Sequence, residues 1–222
     1  MNKKSNNTQH ISRLLKEHNI DVFGVADLKQ LSSAELPLHV EFGDIYKNYK
    51  YAIVAGIQFG KYDLSFTSTN MILELEKSAY KILEYCEENK NTCLIIHPED
   101  EFDPIERKGF LSLKVLAKYA GLGWQGHSLL IISPQFGPLH RIIAVLTNME
   151  LCTNETIESK CGDCRECITK CPRKALTFKS IIDQSSERNE ILDISACLGD
   201  EGCTVCMKVC SRTKNHLSIA ST

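Results

Sequence analysis

Eight of the eleven cysteines of this 222-residue chain lie between Cys161 and Cys210. Four of them form the run Cys161-Gly-Asp-Cys164-Arg-Glu-Cys167-Ile-Thr-Lys-Cys171-Pro172. The spacing C-x2-C-x2-C-x3-C-P is typical of bacterial ferredoxins with two [4Fe–4S] clusters, where the fourth cysteine binds the other cluster. One tight loop brings three thiolates to one cubane, and the fourth sits too far round to join them. The pattern predicts one-electron chemistry.

A second set of cysteines completes the count needed for two clusters. It consists of Cys197 followed by Cys203-Thr-Val-Cys206-Met-Lys-Val-Cys210. The crossed arrangement of two-cluster proteins predicts these two ligand sets: Cys161, Cys164, Cys167 and Cys210 for one cluster, and Cys171, Cys197, Cys203 and Cys206 for the other. Because the second set has a longer first spacing and Ser211 in place of proline, the crossed pairing is an inference by analogy.

Other uses of clustered cysteines fit this spacing less well. Structural zinc also takes four thiolates, but zinc ribbons usually present two C-x2-C pairs separated by a longer spacer. Disulfides are rare in reducing compartments, and thioredoxin-like chemistry needs one isolated C-x-x-C. Outside the cluster region, Cys86 and Cys93 are expected to behave as small buried hydrophobes, and Cys152 has no assigned role.

Apolar periodicity in the first 150 residues predicts helices that alternate with strands. Helical spacing is found around residues 11–18, 71–86 and 110–120. Short apolar runs that favour strands are found at residues 22–26, 51–59, 92–97, 129–132 and 142–146. The last two runs flank the turn residues Ser133-Pro-Gln-Phe-Gly-Pro138, so we expect them to be neighbouring strands.

The fold class that follows is an α/β (α+β) sandwich, with a sheet covered by helices. The change in cysteine usage predicts two domains: residues 1–152 as the α/β domain, and residues 153–222 as a small ferredoxin-like domain with two [4Fe–4S] clusters.

The formal net charge of −2 gives no electrostatic reason to expect nucleic acid or a membrane surface as a partner. The N-terminus is polar, and no window approaches the roughly 18 apolar residues of a membrane span. With eleven cysteines and no export signal, the chain is expected to be cytoplasmic. The expected partner is an electron-donor protein of the ferredoxin or flavodoxin type.

A glycine-rich segment, Gly121-Leu-Gly123-Trp-Gln-Gly126, matches the dinucleotide fingerprint G-x-G-x-x-G by letter. The context argues against a nucleotide site, because the segment follows a helix, precedes a strand, and lacks the acid expected about twenty residues later. Glycines at this spacing still require a tight turn or a close approach of the backbone. A turn that packs Trp124 into the core remains an open alternative to a binding site.

The stretch from Ala120 to Gly137, the segment Ile143–Asn148 and the cysteine run together resemble the epoxyqueuosine reductase family and its smaller relatives. The resemblance implies a cobalamin-binding α/β domain joined to a two-cluster module, with electrons passing from the clusters to the corrinoid cobalt. By position, the resemblance assigns these residues to the cobalamin pocket: Gly121, Gly123, Trp124, Gln125, Gly126, His127, Ser128, Ile131, Leu198 and Thr204.

The chain also departs from that family. The family's catalytic aspartate falls where this chain has the basic pair Arg107 and Lys108. The chain is expected to lack the C-terminal helical-repeat domain that grips transfer RNA in that family, and its link between Cys197 and Cys203 is shorter than in the true reductases. We therefore expect a substrate other than transfer RNA. Two functions remain open: a corrinoid-dependent reductase, and a non-catalytic electron carrier or activator that docks a partner protein.

Histidines near these motifs have two interpretations. His97 ends a predicted strand and could ligate cobalt, but a strand-end histidine that is simply hydrogen-bonded is the more common case. The same choice applies to His127 and His140.

Overall fold

The computed structural model describes residues 2–32, 48–59, 68–98, 105, 109, 111–178 and 188–213. The helices are α1 (Lys3–Glu17), α2 (Leu28–Ser32), α3 (Ser68–Glu88), α4 (Leu113–Tyr119), α5 (Glu166–Thr169), α6 (Arg188–Ile191), α7 (Gly199–Gly202) and α8 (Val205–Lys208). The strands are β1 (Val22–Asp27), β2 (Tyr51–Gln58), β3 (Cys93–Ile96), β4 (Trp124–Gln125), β5 (Ile131–Ile132) and β6 (His140–Thr147). The mixed α/β architecture predicted from the sequence is confirmed.

Within the described residues, the main sheet has the strand order β1-β2-β6-β3, and every neighbouring pair is antiparallel. Both faces of this sheet are covered. Ile53 and Val145 pack on one face with α1 and α3, whereas Val54 and Leu146 pack on the other face with α4. Because both faces are buried, β2 is a continuous apolar run and not an alternating one.

The helix α3 confirms the predicted apolar face. Five side chains spaced three or four residues apart are fully buried against the sheet: Met71, Leu75, Ala79, Ile82 and Cys86. The helix α1 packs beside it through Ile11 and Leu15. Its first turn is capped by Asn2, whose side-chain oxygen accepts a hydrogen bond from the Ser5 amide at 2.9 Å.

The expectation that the runs 129–132 and 142–146 are neighbouring strands is wrong. The strand β5 pairs with β4 in a separate two-stranded sheet, and β6 lies between β2 and β3 in the main sheet. The cause is local, because Leu129 has a positive φ of 59° and the Gly126 amide donates to Leu130 O at 2.9 Å. This tight loop turns β5 back onto Trp124, away from β6.

The helix expected at residues 110–120 is shorter than predicted. It begins after Ser112, whose hydroxyl accepts a hydrogen bond from the Val115 amide, and it ends at Tyr119. Phe110 lies outside the described residues.

The segment after β6 is fixed to the sheet before the cysteine region begins. The Asn154 side chain accepts from the Val25 amide, and the Asn154 amide donates to Val25 O, both at 2.9 Å. Hydrogen bonds from Lys50, Lys4 and Tyr51 lower the pKa of Glu150 to about 2. The start of the cysteine region is therefore anchored beside β1 and β2.

In the part of the chain that the structure describes, no helix combines the length and the hydropathy needed to cross a lipid bilayer. The two-domain division at residues 152 and 153 stays a prediction.

Candidate metal centre

The structure brings the eight cysteines together in two groups. The Cys167 thiol interacts electrostatically with its partners in the predicted first set: Cys161, Cys164 and Cys210. The Cys206 thiol interacts in the same way with its partners in the predicted second set: Cys203, Cys197 and Cys171. Cys167 and Cys206 are also neighbours, so the two groups are adjacent.

The crossing of the ligands depends on Cys210. This residue follows Cys206 by four positions, yet its thiol lies beside Cys161 and Cys164 of the first set. Cys171 is exchanged in the opposite direction, because its thiol lies beside Cys206. These contacts link Cys210 to the first run and Cys171 to Cys206, and the two crossed ligand sets stay a prediction.

Burial makes the free thiols weak acids. Desolvation raises the pKa of Cys167 to about 12 and the pKa of Cys206 to about 11, with the neighbouring thiols adding to the effect. Desolvation also raises the pKa of Cys210. Four thiolates gathered in a partly buried space repel one another, so positive metal charge is needed to hold them deprotonated.

Short local elements position these sulfurs. In the first run, the Cys164 amide donates to Cys161 O at 3.0 Å, and Gly162 has a positive φ of 49°. The helix α5 then carries Cys167, and it packs against α8, which carries Cys206. The turn after α5 closes when the Ala175 amide donates to the Cys171 sulfur at 3.3 Å.

Two other segments supply N–H donors to the first group. The indole Nε1 of Trp124 donates to the sulfur of Cys161 at 3.3 Å. The main-chain amides of Arg212 and Thr213 donate to the sulfur of Cys210. Sequence reasoning missed Arg212, Thr213 and Ala175, because a main-chain donor leaves no signature in residue type.

At each glycine of the G-x-G-x-x-G segment, other atoms of the protein occupy the space that a side chain would need. An added Cβ at Gly121, which has a φ of +70°, would lie 2.5 Å from Glu155 O. At Gly123 it would lie 2.1 Å from Ile132 O. At Gly126 it would lie 2.8 Å from an Ile132 side-chain carbon and 3.3 Å from the sulfur of Cys161. The close approach expected of these glycines is made by the protein's own backbone and by a cysteine ligand.

The other residues assigned to the cobalamin pocket divide by exposure. Trp124 and Ile131 are buried, and His127 is buried with its Nε2 3.1 Å from Gly162 O. Its Nδ1 has no hydrogen-bond partner among the described residues. Partly or half exposed side chains are found at four positions: Gln125, Ser128, Leu198 and Thr204.

A cavity lies against the first group of cysteines. Its lining includes Trp124, His127 and Ser128 from the glycine-rich segment, together with four cysteines of the first group and Cys206 of the second. The glycine-rich segment and the first cysteine group therefore share one site.

Several sequence features lie apart from this site. The Nε2 of His97 is 2.9 Å from a carboxylate oxygen of Glu76, at ion-pair distance, and His97 does not line the cavity at the cysteines. As predicted, Cys86 is buried, and Cys93 packs with it in the same core. The basic residues at the position of the family's catalytic acid, Arg107 and Lys108, lie outside the described residues.

Comparison with known proteins finds epoxyqueuosine reductases and a reductive dehalogenase. No protein-family model matches the chain. Epoxyqueuosine reductase of Bacillus anthracis is 29% identical over 127 residues, which cover 53% of this chain and 33% of the relative. Tetrachloroethene reductive dehalogenase of Sulfurospirillum multivorans is 29% identical over 210 residues, which cover 86% of this chain and 42% of the relative.

Solved structures share the fold over nearly the whole chain. Epoxyqueuosine reductase of Bacillus subtilis matches with a TM-score of 0.68 at 16% identity, covering 96% of this chain and 66% of that one. The chain is similar in sequence and fold to epoxyqueuosine reductases and reductive dehalogenases. A reductive dehalogenase described as B12-dependent also shares the fold of this epoxyqueuosine reductase-like chain, with a TM-score of 0.68 at 18% identity, covering 95% of this chain and 33% of that one.

The family resemblance predicted from the sequence is confirmed by these matches. The epoxyqueuosine reductase-like chain aligns with about a third of the length of the Bacillus anthracis reductase and about two fifths of the dehalogenase.

Proposed function

We propose that this chain is an iron–sulfur oxidoreductase that holds two [4Fe–4S] clusters and passes single electrons to a bound corrinoid. The observation that supports the proposal is that the thiols of both cysteine runs interact with one another, with Cys210 near Cys161 and Cys164, and with Cys171 near Cys206. The kinship with epoxyqueuosine reductases and a B12-dependent dehalogenase supports the corrinoid as acceptor.

The donor set fits two cubanes. Each [4Fe–4S] cluster takes four cysteine thiolates, and each group here supplies four. A structural zinc ion would instead need four thiolates at about 2.3 Å from one centre.

Fewer residues of the glycine-rich segment can contact a corrinoid than the resemblance implies. Gly121, Gly123 and Gly126 are packed against protein atoms, and Trp124 is buried. The side chains left to contact a corrinoid are the exposed or partly exposed ones: Gln125, Ser128, Leu198 and Thr204. Cobalt in a corrinoid supplies one-electron redox chemistry, and these residues would hold the ring.

We propose that the substrate is not transfer RNA. The net charge of −2, without a long run of basic residues, gives the chain no electrostatic attraction for a polyanion. The electron donor in this proposal is a one-electron carrier protein of the ferredoxin or flavodoxin type, in the cytoplasm.

A second candidate function is a non-catalytic electron carrier or activator that docks a corrinoid protein. The sequence favours it at one point, because Arg107 and Lys108 stand where the family has its catalytic acid. The packing of the three glycines against protein atoms favours it as well.

Titration of the anaerobically reconstituted protein with cobalamin separates the two functions. The reductase predicts a corrin absorption change that saturates at one cobalamin per chain, whereas the carrier predicts no change. Leu198→Glu should weaken the binding about tenfold or more, because it places a charge at the proposed ring contact. The matched control is Leu73→Glu on α3, since Leu73 is 47% exposed and Leu198 is 50% exposed. An unchanged spectrum would contradict corrinoid binding.

A further inference from the structure

Trp124 directs its single polar atom at a cysteine of the first group. The ring is 2% exposed, and its Nε1 donates to the sulfur of Cys161 at 3.3 Å. On the same ring, the Arg212 guanidinium carbon lies 5.6 Å from the ring centroid. A buried indole N–H nearly always finds an acceptor, and here the acceptor is a predicted cluster ligand.

The glycine-rich segment explains how the indole reaches that sulfur. Trp124 pairs with Ile132 across the β4–β5 hairpin, which can close only because Gly123 leaves room for Ile132 O. Gly126 leaves room for the sulfur of Cys161 at 3.3 Å from its ideal Cβ position. The spacing of the glycines therefore serves the placement of the tryptophan against the metal centre.

A hydrogen bond to a ligand sulfur changes the reduction potential of the cluster that the sulfur binds. The donor stabilises negative charge on the sulfur, and the reduced cluster carries one more negative charge than the oxidised cluster. The reduced state therefore gains more from the donor, and the potential rises. Burial of Trp124 strengthens this effect, because water does not screen the N–H dipole.

Both cysteine groups receive main-chain donors, and the first group receives the indole in addition. In the second group, the Ala175 amide donates to Cys171, and the main-chain amide of Cys206 donates to the Cys206 sulfur. In the first group, the amides of Arg212 and Thr213 donate to Cys210. The charged Arg212 side chain also lies over the indole. Among the described contacts, the first group therefore differs by the indole N–H donor and by the Arg212 cation over the same ring.

We infer that Trp124 is a positioning residue that raises the reduction potential of one cluster above that of the other. The cluster concerned is the one held by Cys161, Cys164, Cys167 and Cys210. The inference rests on the proposed function, because it requires both clusters. One electron from a reduced donor, transferred without a proton or a bond change, would reside on the Cys161 side.

The test is a redox titration of the full-length protein followed by electron paramagnetic resonance. Trp124→Phe keeps an aromatic ring and removes the N–H donor. We expect one of the two midpoint potentials to fall and the other to stay unchanged. The matched control, Tyr51→Phe, removes a hydrogen bond to Glu150, and neither residue lines the cavity at the cysteines, so it should move neither potential.

A second measurement uses the unaltered protein, so it does not depend on the variant folding. Trp124 is the only tryptophan in the chain, and tryptophan labelled with ¹⁵N in the indole therefore marks one site. Pulsed electron paramagnetic resonance of the partly reduced protein should detect coupling between this nitrogen and the cluster of higher potential.

These results separate the inference from the proposed function. Two reducible clusters in the unaltered protein support the proposed function whatever the variant does. The inference is overturned if Trp124→Phe leaves both potentials in place, if both potentials fall equally, or if the labelled nitrogen shows no coupling. A protein without two reducible clusters contradicts both.

Discussion

Cys210 joins two parts of the cysteine region. It belongs by sequence to the run that contains Cys203 and Cys206, but its thiol lies beside Cys161 and Cys164. Cys171 makes the opposite exchange. Each cluster would therefore tie the first cysteine run to the second, and loss of one ligand should affect the set defined by space and not the set defined by sequence.

Pairs of alanine substitutions distinguish these sets. Cys167→Ala combined with Cys210→Ala removes two ligands from one cluster, so the iron content should fall from about eight to about four per chain. Cys167→Ala combined with Cys206→Ala removes one ligand from each cluster, so the iron content should fall toward zero. The measurement is iron analysis of each variant purified without oxygen.

The two double variants control each other, because each removes two thiols from the same region. Equal iron loss in both variants would contradict the crossed assignment of Cys210.

At the scale of elements, the β4–β5 hairpin connects the sheet domain to the metal centre. Its close approach depends on Gly123, whose ideal Cβ position is 2.1 Å from Ile132 O. The contact is with backbone, which cannot move aside as a flexible side chain can. A methyl group at this position must therefore push the two strands apart.

Gly123→Ala should destabilise the protein by about 2–3 kcal/mol, as expected of overpacking at a rigid contact. In a chain of this size, that loss corresponds to a fall in melting temperature of about 5–10 °C. The measurement is thermal unfolding followed by circular dichroism under anoxia. The substitution should also weaken the Trp124 contact with Cys161, because the indole belongs to the next residue, at the start of β4.

The matched control is Gly162→Ala. An added Cβ at Gly162 meets nothing within 4 Å, and only the positive φ of 49° opposes it. Its cost should be about 1 kcal/mol. A melting temperature for Gly123→Ala as high as that of Gly162→Ala would show that the Ile132 contact does not constrain the hairpin.

Elements with a full apolar period could be predicted from the sequence. The strand expected at residues 51–59 is Tyr51–Gln58, and the helix expected around residues 71–86 is Ser68–Glu88. The pairing of residues 129–132 with 142–146 could not be predicted correctly. It depends on the positive φ of Leu129 and on the space left by Gly123, and neither is visible in an apolar pattern.

Some features of the candidate site can be predicted from the sequence, and others depend on the fold. Cysteine spacing carries the ligand sets, because a cubane imposes a fixed order on its thiolates. The glycine spacing predicts a close approach of the backbone to something, and the structure supports this prediction. The sequence does not show which atoms make the approach, and they are protein atoms. Contact between Trp124 and Cys161 joins residues distant in sequence, and only the fold brings them together.

At the scale of the whole molecule, apolar burial is concentrated in the first part of the chain. Among the described residues of the cysteine region, four apolar side chains are buried: Ala175, Leu176, Ile191 and Met207. The sheet and its helices contain two large apolar clusters. The cysteine region should therefore depend on its metal for structure, whereas the sheet should not.

Removal of the metal tests this division. After oxidation and chelation, amide hydrogens in residues 161–178 and 188–213 should lose protection from exchange. Amides of β1, β2 and β6 should keep it, because their core is formed without metal. The measurement is hydrogen exchange followed by mass spectrometry, and reconstitution with iron and sulfide should restore the protection. Equal protection of the cysteine region with and without metal would contradict the expected dependence.

The metal content of the intact protein tests the central claim most directly. Iron and acid-labile sulfide should be measured in protein purified and reconstituted under strict anoxia. Two cubanes predict about eight irons and about eight sulfides per chain. A colourless protein with zinc in place of iron, or one with about four irons or fewer, would contradict the assignment of all eight cysteines to two [4Fe–4S] clusters.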